Sequence, residues 1–264
     1  MLHISVLNSI KGIERQYNTG ETPVLVTCSD MNSYICKYMR SSVSAYKLAS
    51  EFLGANMIVP WGICSPKAAF VKIAPEHWAK VHTTHSNALS WGYIVLDGVA
   101  DVNNTMLQCI EPNETTLEQL LKIALFDFWI ANEDRTYNNA NLLYDVNNKS
   151  LVSIDYGGIF NTSSFDFPLC QLTSTDTILY ADIFRHLASV YDRAYVIKTA
   201  HSLMTFYRRV LQICQSLQTD ILNALPKEWN VSRDIVEQKT LQLFDTKWTD
   251  EVWENFMESV TDNL

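Results

Sequence analysis

The chain has 264 residues and a formal net charge of −9, with 29 Asp and Glu against 20 Lys and Arg. Hydrophobic residues at 47% and charged ones at 19% exclude a wholly disordered chain, and eight Gly with seven Pro exclude a collagenous or linker-rich one. The acidic balance, without any Lys/Arg run, argues against direct nucleic-acid binding or a polybasic membrane mode, and no apolar stretch is long enough to span a bilayer.

A chain of this mass buries roughly 73% of its unfolded surface, enough for one large domain or two packed lobes. Met1-Leu2-His3-Ile4-Ser5 lacks the charged-then-apolar layout of a secretory signal. The six cysteines are scattered without a CxxC pair, so neither a zinc site nor a disulfide framework is expected. Reduced, mostly buried thiols and a cytoplasmic location follow as expectations.

In chain order, Val24 to Cys28 and Tyr34 to Met39 read as strands around the turn-rich Ser29–Ser33. Tyr46 to Met57 reads as a helix stopped by Val59-Pro60, and Ala68 to Ile73 and Tyr93 to Leu96 as further strands. After Pro112, Thr115 with Glu118 and Thr116 with Gln119 form two overlapping capping boxes. Leu117, Leu120, Leu121, Ala124, Leu125 and Phe128 then define one apolar helix face, ending near Ala131-Asn132. A second hairpin follows, pairing Leu142 with Ser153 and Tyr144 with Leu151. A Ser/Thr/Asp-rich stretch runs to Thr177, and the remainder is helical in pattern. Strands first and helices second predict an α+β chain of two lobes, 1–98 and 99–264.

Asp134 and Asn139 have the Asp-x4-Asn spacing of a kinase catalytic loop, in which the Asp receives the acceptor proton and the Asn binds magnesium. With 16 Asp and 19 Asn, about one such pair arises by chance, and Asp127 with Asn132 is a second instance. Asp127 falls beside the core face, so its loss is expected to affect folding. The hairpin adds weight to Asp134, because it brings Asn139 and Asp155 to the same end of a rigid unit. Asp155-Tyr156-Gly157 follows its strand as a kinase Asp-Phe-Gly does, with Asp155 as the second magnesium ligand. A plain hairpin with Asp and Gly as turn residues is the simpler alternative.

Lys37, in the apolar run Ile35-Cys36-Lys37-Tyr38, is the candidate clamp for ATP phosphates; the alternative is an edge-strand Lys that blocks aggregation. On an exposed strand its truncation would cost within about 0.5 kcal/mol. Glu51 is the candidate acid that orients Lys37, and a solvated helix face explains it equally well. The loop Asn18–Thr22 holds a single Gly, far short of a Gly-rich phosphate loop. His82-Thr83-Thr84-His85 has no third ligand and reads as an exposed loop. The aromatic residues read as core.

Tyr34-Ile35-Cys36-Lys37, Trp91-Gly92-Tyr93, the segment Phe126–Arg135 with Asn138–Leu143, and Ile154-Asp155-Tyr156-Gly157-Gly158 together resemble HipA-like kinases. The resemblance is strongest over residues 120–160. It implies a two-lobed fold akin to protein and phosphoinositide kinases, with a β-rich N-lobe, a mainly helical C-lobe and a metal-site β-hairpin. It also implies ATP- and magnesium-dependent Ser/Thr phosphorylation. Matched by motif, Asp134 is the catalytic base, Asn139 and Asp155 are the magnesium ligands, and Lys37 is the ATP lysine. Adenine would lie against a hinge at Leu96-Asp97-Gly98. Toxin members of the family phosphorylate aminoacyl-tRNA synthetases and are neutralised by a helix-turn-helix antitoxin, so a protein substrate and such a partner are implied. The chain departs from full-length toxins in a short N-terminus, an unrecognisable phosphate loop and Thr136 at a position where His or Asn is common. A catalytically silent nucleotide-binding module and a small-molecule phosphotransferase are the competing readings. Thr162 to Thr177 would be the activation and acceptor-docking segment.

Overall fold

Short β-branched and aromatic runs build a six-stranded sheet from the N-terminal third of the chain. A computed structural model describes residues 4–79, 81 and 84–264. The strands are β1 (Val6–Asn8), β2 (Arg15–Gln16), β3 (Val24–Thr27), β4 (Ser33–Lys37), β5 (Ala68–Lys72) and β6 (Ser90–Ile94), in the order β1-β5-β6-β4-β3-β2. Only β1, which pairs with β5, runs parallel to its neighbour. β1 and β2, at three and two residues, were too short to show a period in the sequence.

Alternation divides this sheet into two faces. Val24, Val26, Tyr34, Cys36 and Val71 point into a small core with Ile13 and Trp78. The opposite face carries Phe70 and Trp91, against which Phe52 of helix α1 (Ser42–Met57) packs with ring centroids 5.6 and 5.2 Å apart. Lys37 is the register partner of Trp91 and therefore lies on this helix-covered face. Its strand is internal, flanked by β3 and β6, so the edge-strand alternative falls.

A three-stranded sheet follows, with β7 (Val99–Asp101), β8 (Leu142–Asp145) and β9 (Ser150–Ser153) in that order. Leu142 pairs with Ser153 and Tyr144 with Leu151, the register that alternation predicted. The helices are α2 (Asn104–Leu107), α3 (Glu114–Ile130), α4 (Ile159–Ser163), α5 (Asp182–Ala188), α6 (Arg193–Asn223), α7 (Arg233–Gln242) and α8 (Thr246–Asp262). The α3 cap is not either of the Thr boxes. Asn113 caps it, accepting from the Thr116 amide at 3.0 Å while its own amide donates to Thr116 Oγ1 at 3.3 Å. Asn is the stronger cap. Ile123, Phe126 and Trp129 are buried as fully as the expected face, so the second half of α3, Ile123 to Ile130, is surrounded by protein, while Glu114, Thr115 and Glu118 of its first half face solvent.

One large core runs from α1 through α3 to α8, joining the sheet lobe to the helical region. The thiols correct the expectation of mostly buried cysteines: Cys28, Cys36 and Cys214 are buried, whereas Cys64, Cys109 and Cys170 are exposed, all of them unbridged. Among the described residues no helix is long and apolar enough to cross a membrane.

Gly54 sets the distance between α1 and the segment after β9. A Cβ there would lie 2.4 Å from Tyr156 Cβ and 2.8 Å from Tyr156 Cγ, atoms tied directly to the backbone. Gly54→Ala should gain about 1 kcal/mol of helix propensity and lose ~2–3 kcal/mol to overpacking. A net fall in stability by urea unfolding is expected; an equal or higher midpoint would show that the segment yields.

Candidate active site

Lys37 leaves β4 with its ammonium among three carboxyl groups. It pairs with Glu51 from α1, with Asp155 Oδ1 at 2.8 Å from the end of β9, and with Glu21 Oε2 at 2.9 Å from the β2–β3 loop. Glu51 is completely buried, and its Oε2 accepts from Tyr93 Oη at 2.7 Å and from the Tyr156 amide at 3.2 Å. The solvated-face alternative for Glu51 therefore falls. Burial lifts the Glu51 carboxyl to about 8; Lys37 pulls against this, and Asp155 and Glu21 add to it. Burial also opposes the Lys37 charge, but the three carboxylates outweigh it and raise the ammonium well above its usual pKa. Asp155 has a left-handed backbone, φ 61°, and its Oδ1 also accepts from the Gly157 amide at 3.3 Å. Burial works against its ionisation, yet Lys37 and the hydrogen bonds from the Lys37 ammonium and the Gly157 amide hold it well below the carboxylate range.

The neighbouring loop is organised by Arg135, whose side chain is fully buried. Its Nε donates to Asp127 Oδ2 at 2.8 Å, and Nη2 donates to Ser153 Oγ at 2.7 Å and to the Ile154 carbonyl at 3.3 Å. Nη1 reaches the carbonyls of Ala140, at 3.3 Å, and Asn141. One guanidinium thus ties α3 to both arms of the hairpin. Asp127 also accepts from Asn132 Nδ2 at 2.8 Å, so the chance Asp-x4-Asn pair has a structural task. Burial raises the Asp127 carboxyl to about 6 despite Arg135.

This framework presents Asp134 at the surface. Asn139 Nδ2 donates to its Oδ1 at 3.1 Å and Asn141 Nδ2 to its Oδ2 at 3.2 Å. Asp134 packs closely on Gly158, where a Cβ would lie 2.4 Å from the Asp134 Cβ. The next turn, α4, is wound left-handed: Phe160, Asn161, Thr162 and Ser163 have φ between 52° and 61°. Such a run costs on the order of 1–2 kcal/mol per residue. Asn161 offsets it by donating to Glu133 Oε1 at 2.8 Å and exchanging hydrogen bonds with Cys170, and Thr162 Oγ1 donates to Glu133 Oε2 at 3.0 Å.

Lys37, Asp134, Asn139 and Asp155 line one cavity of about 520 Å³, together with Glu21, Lys47 and Asn141. A larger groove of about 820 Å³ lies against Tyr137 and Asn138 and holds none of these groups. Leu96, Asp97 and Gly98 lie on the β6–β7 connection, outside the cavity lining; the Gly98 carbonyl accepts from the Val146 amide at 3.0 Å. Of the His82–His85 segment, His82 and Thr83 lie outside the described residues, and His85 stacks on Trp78 with centroids 4.1 Å apart.

The model of HipA-like kinases matches residues 10–256. The chain belongs to the HipA-like kinase family. The crystal structure of a proinflammatory kinase from Helicobacter pylori, CtkA, superposes with a TM-score of 0.55 at 13% identity, covering 98% of each chain. At that identity the likeness is one of fold, a kinase fold with a β-rich N-terminal region and a helical C-terminal region. No curated protein matches the sequence.

Sequence reasoning missed Glu21, Lys47 and Asn141 in this kinase-fold cavity and assigned no task to Arg135. Lys47 stands one turn before Glu51 on α1, so helical phase could have found it. Glu21 carried no signal, because a loop has no period.

Two outcomes follow from these contacts. Arg135→Lys keeps the charge but loses the fork, and should destabilise the protein by ~3 kcal/mol in denaturant titration; a change within error would deny the guanidinium its role. Because the Asp155 pKa is depressed on folding, its stabilisation is present above the ordinary carboxylate pKa and is lost as pH falls towards the depressed one. Asp155→Asn should therefore lose less stability than wild type on acidification from about pH 5 downwards.

Proposed function

We propose that this HipA-like chain is an ATP- and magnesium-dependent kinase that transfers the γ-phosphoryl group to a Ser or Thr hydroxyl of a protein. The observation that carries the reading is the single cavity shared by Lys37, Asp155, Asn139 and the accessible carboxylate of Asp134. The donor set fits the metal: Asp155 offers carboxylate oxygen and Asn139 carbonyl oxygen, the hard ligands that magnesium prefers. A magnesium ion held by two protein oxygens would complete its shell with phosphate and water. When bound, the ion would neutralise charge on the phosphates.

The chain's own residues supply the rest. Lys37, held rigidly by Glu51, grips the phosphates. Asp134, fixed by Asn139 and Asn141, accepts the proton as the acceptor oxygen bonds to phosphorus and the bridge to the β-phosphate breaks. Positioning and charge neutralisation carry most of the rate. Thr162 lines the cavity, which supports reading Thr162–Thr177 as the acceptor-docking segment. Family membership supports a toxin-type role with a helix-turn-helix partner. Glu21 on Lys37 favours a second reading, a catalytically silent nucleotide-binding module.

Separate mutants separate the roles. Asp134→Asn should bind ATP-magnesium normally while phosphotransfer falls ~10²-fold or more. Asp155→Ala should lose magnesium-dependent ATP binding, and Asn139→Ala should lose less of it, because it removes a neutral ligand. The assay is labelled-ATP transfer to proteins of a cytosolic extract beside calorimetric ATP binding. Wild-type transfer rates in Asp134→Asn would remove Asp134 as the base. Label in a free metabolite rather than a protein band would replace the protein acceptor by a small molecule, and ATP binding without any transfer would establish the silent module.

A further inference from the structure

Lys37 has one carboxylate too many to receive a polyphosphate. Glu51 and Asp155 reach it from a buried helix face and the end of a strand, and neither can leave without dismantling the site. Glu21 differs, because it comes from the loop between β2 and β3, where a nucleotide kinase would need its phosphate-covering segment. Its two oxygens bridge two cations: Oε2 lies 2.9 Å from Lys37 Nζ and Oε1 lies 3.7 Å from Lys47 Nζ. The same oxygen edge faces Gly157, where a Cβ would approach Glu21 Oε1 to 3.3 Å. The loop is held in place by Arg40, which donates to the Gly20 carbonyl at 3.2 Å and to Thr22 Oγ1 at 3.1 Å.

Lys47 lies four residues before Glu51 on α1, one turn along the same helix face, and lines the cavity itself. Its side chain is 42% exposed, so it is not buried to satisfy Glu21 alone. A carboxylate held between two ammonium groups in a solvent-reachable cavity occupies the position that a phosphate of a nucleotide would take.

We propose that Lys47 is a second phosphate-binding cation of this site, and that the Glu21 carboxylate fills the phosphate position until a nucleoside polyphosphate displaces it. The inference rests on the kinase reading above and adds two residues to it. Lys37 and Lys47 together replace, with two side-chain cations, the backbone amides that a Gly-rich loop would supply. Glu21 sets the affinity threshold, because the incoming phosphates must break its contacts with Lys37 and Lys47.

The test is equilibrium binding to the full chain of three probes: ATP with magnesium, inorganic tripolyphosphate, and adenosine. Removing the competing charge in Glu21→Gln should tighten ATP and tripolyphosphate by about fivefold, and Lys47→Met should weaken both by about fivefold. Adenosine binding should be unchanged in both variants, and Lys47→Arg should restore ATP affinity. An unchanged thermal midpoint in Lys47→Met separates a binding effect from a folding effect. Glu21→Gln binding ATP no more tightly than wild type, or Lys47→Met binding it equally well, overturns the inference while leaving the kinase reading intact. Wild-type protein that binds neither ATP nor tripolyphosphate overturns both.

Discussion

The active loop depends on one buried guanidinium. Arg135 spends its donors on Asp127 of α3, on two carbonyls just before β8, and on Ser153 and Ile154 at the end of β9. A lysine could satisfy one of these directions, whereas the planar fork satisfies several at once. With both arms of the hairpin fixed relative to α3, the residues between them have little freedom. Asp134 and Asn139 are displayed at the surface because Arg135 beside them is wholly inside.

The other constraint is electrostatic. Three carboxyl groups surround Lys37, and one of them, Glu51, has no contact with water. Crowding of these carboxyl groups is tolerated because each finds partners: Tyr93 and the Tyr156 amide for Glu51, the Gly157 amide for Asp155, Lys47 for Glu21. The fixed strand and helix thus carry both cations, Lys37 and Lys47, and the β2–β3 loop lays the Glu21 carboxylate between them. On the proposed reading, phosphate entry is an exchange of one anion for another rather than an addition.

Helix α1 connects these two systems. It covers the sheet face that carries Lys37, contributes Glu51 and Lys47, and approaches Tyr156 closely because residue 54 has no side chain. Tyr156 in turn donates to the Ser153 carbonyl at 3.0 Å, beside the Arg135 contact to the same residue. Displacement of α1 would therefore reach Lys37 and the hairpin together. The left-handed α4 turn sits directly downstream and is stabilised by Glu133 and Asn161 from the same region.

Local patterning was enough to read much of this from the sequence. Alternation gave the β3–β4 pairing and the register of β8 with β9, the 3.6-residue period gave α3, and the Asp/Asn spacing drew attention to residues 134, 139 and 155. These are short-range regularities, and they survive because apolar faces must be buried whatever surrounds them. The α3 cap falls on Asn113, upstream of the two Thr boxes, because Asn caps a helix better than Thr. Which charged side chains go inside was decided only by the tertiary structure. The internal position of β4, the burial of Glu51 and Arg135, the bridge from Glu21 to Lys37 and Lys47, and the pairing of Lys37 with Asp155 were all set there, the last joining residues 118 apart. A charge is stable in the interior only when its partners arrive from elsewhere in the chain, and such meetings leave no period in the sequence.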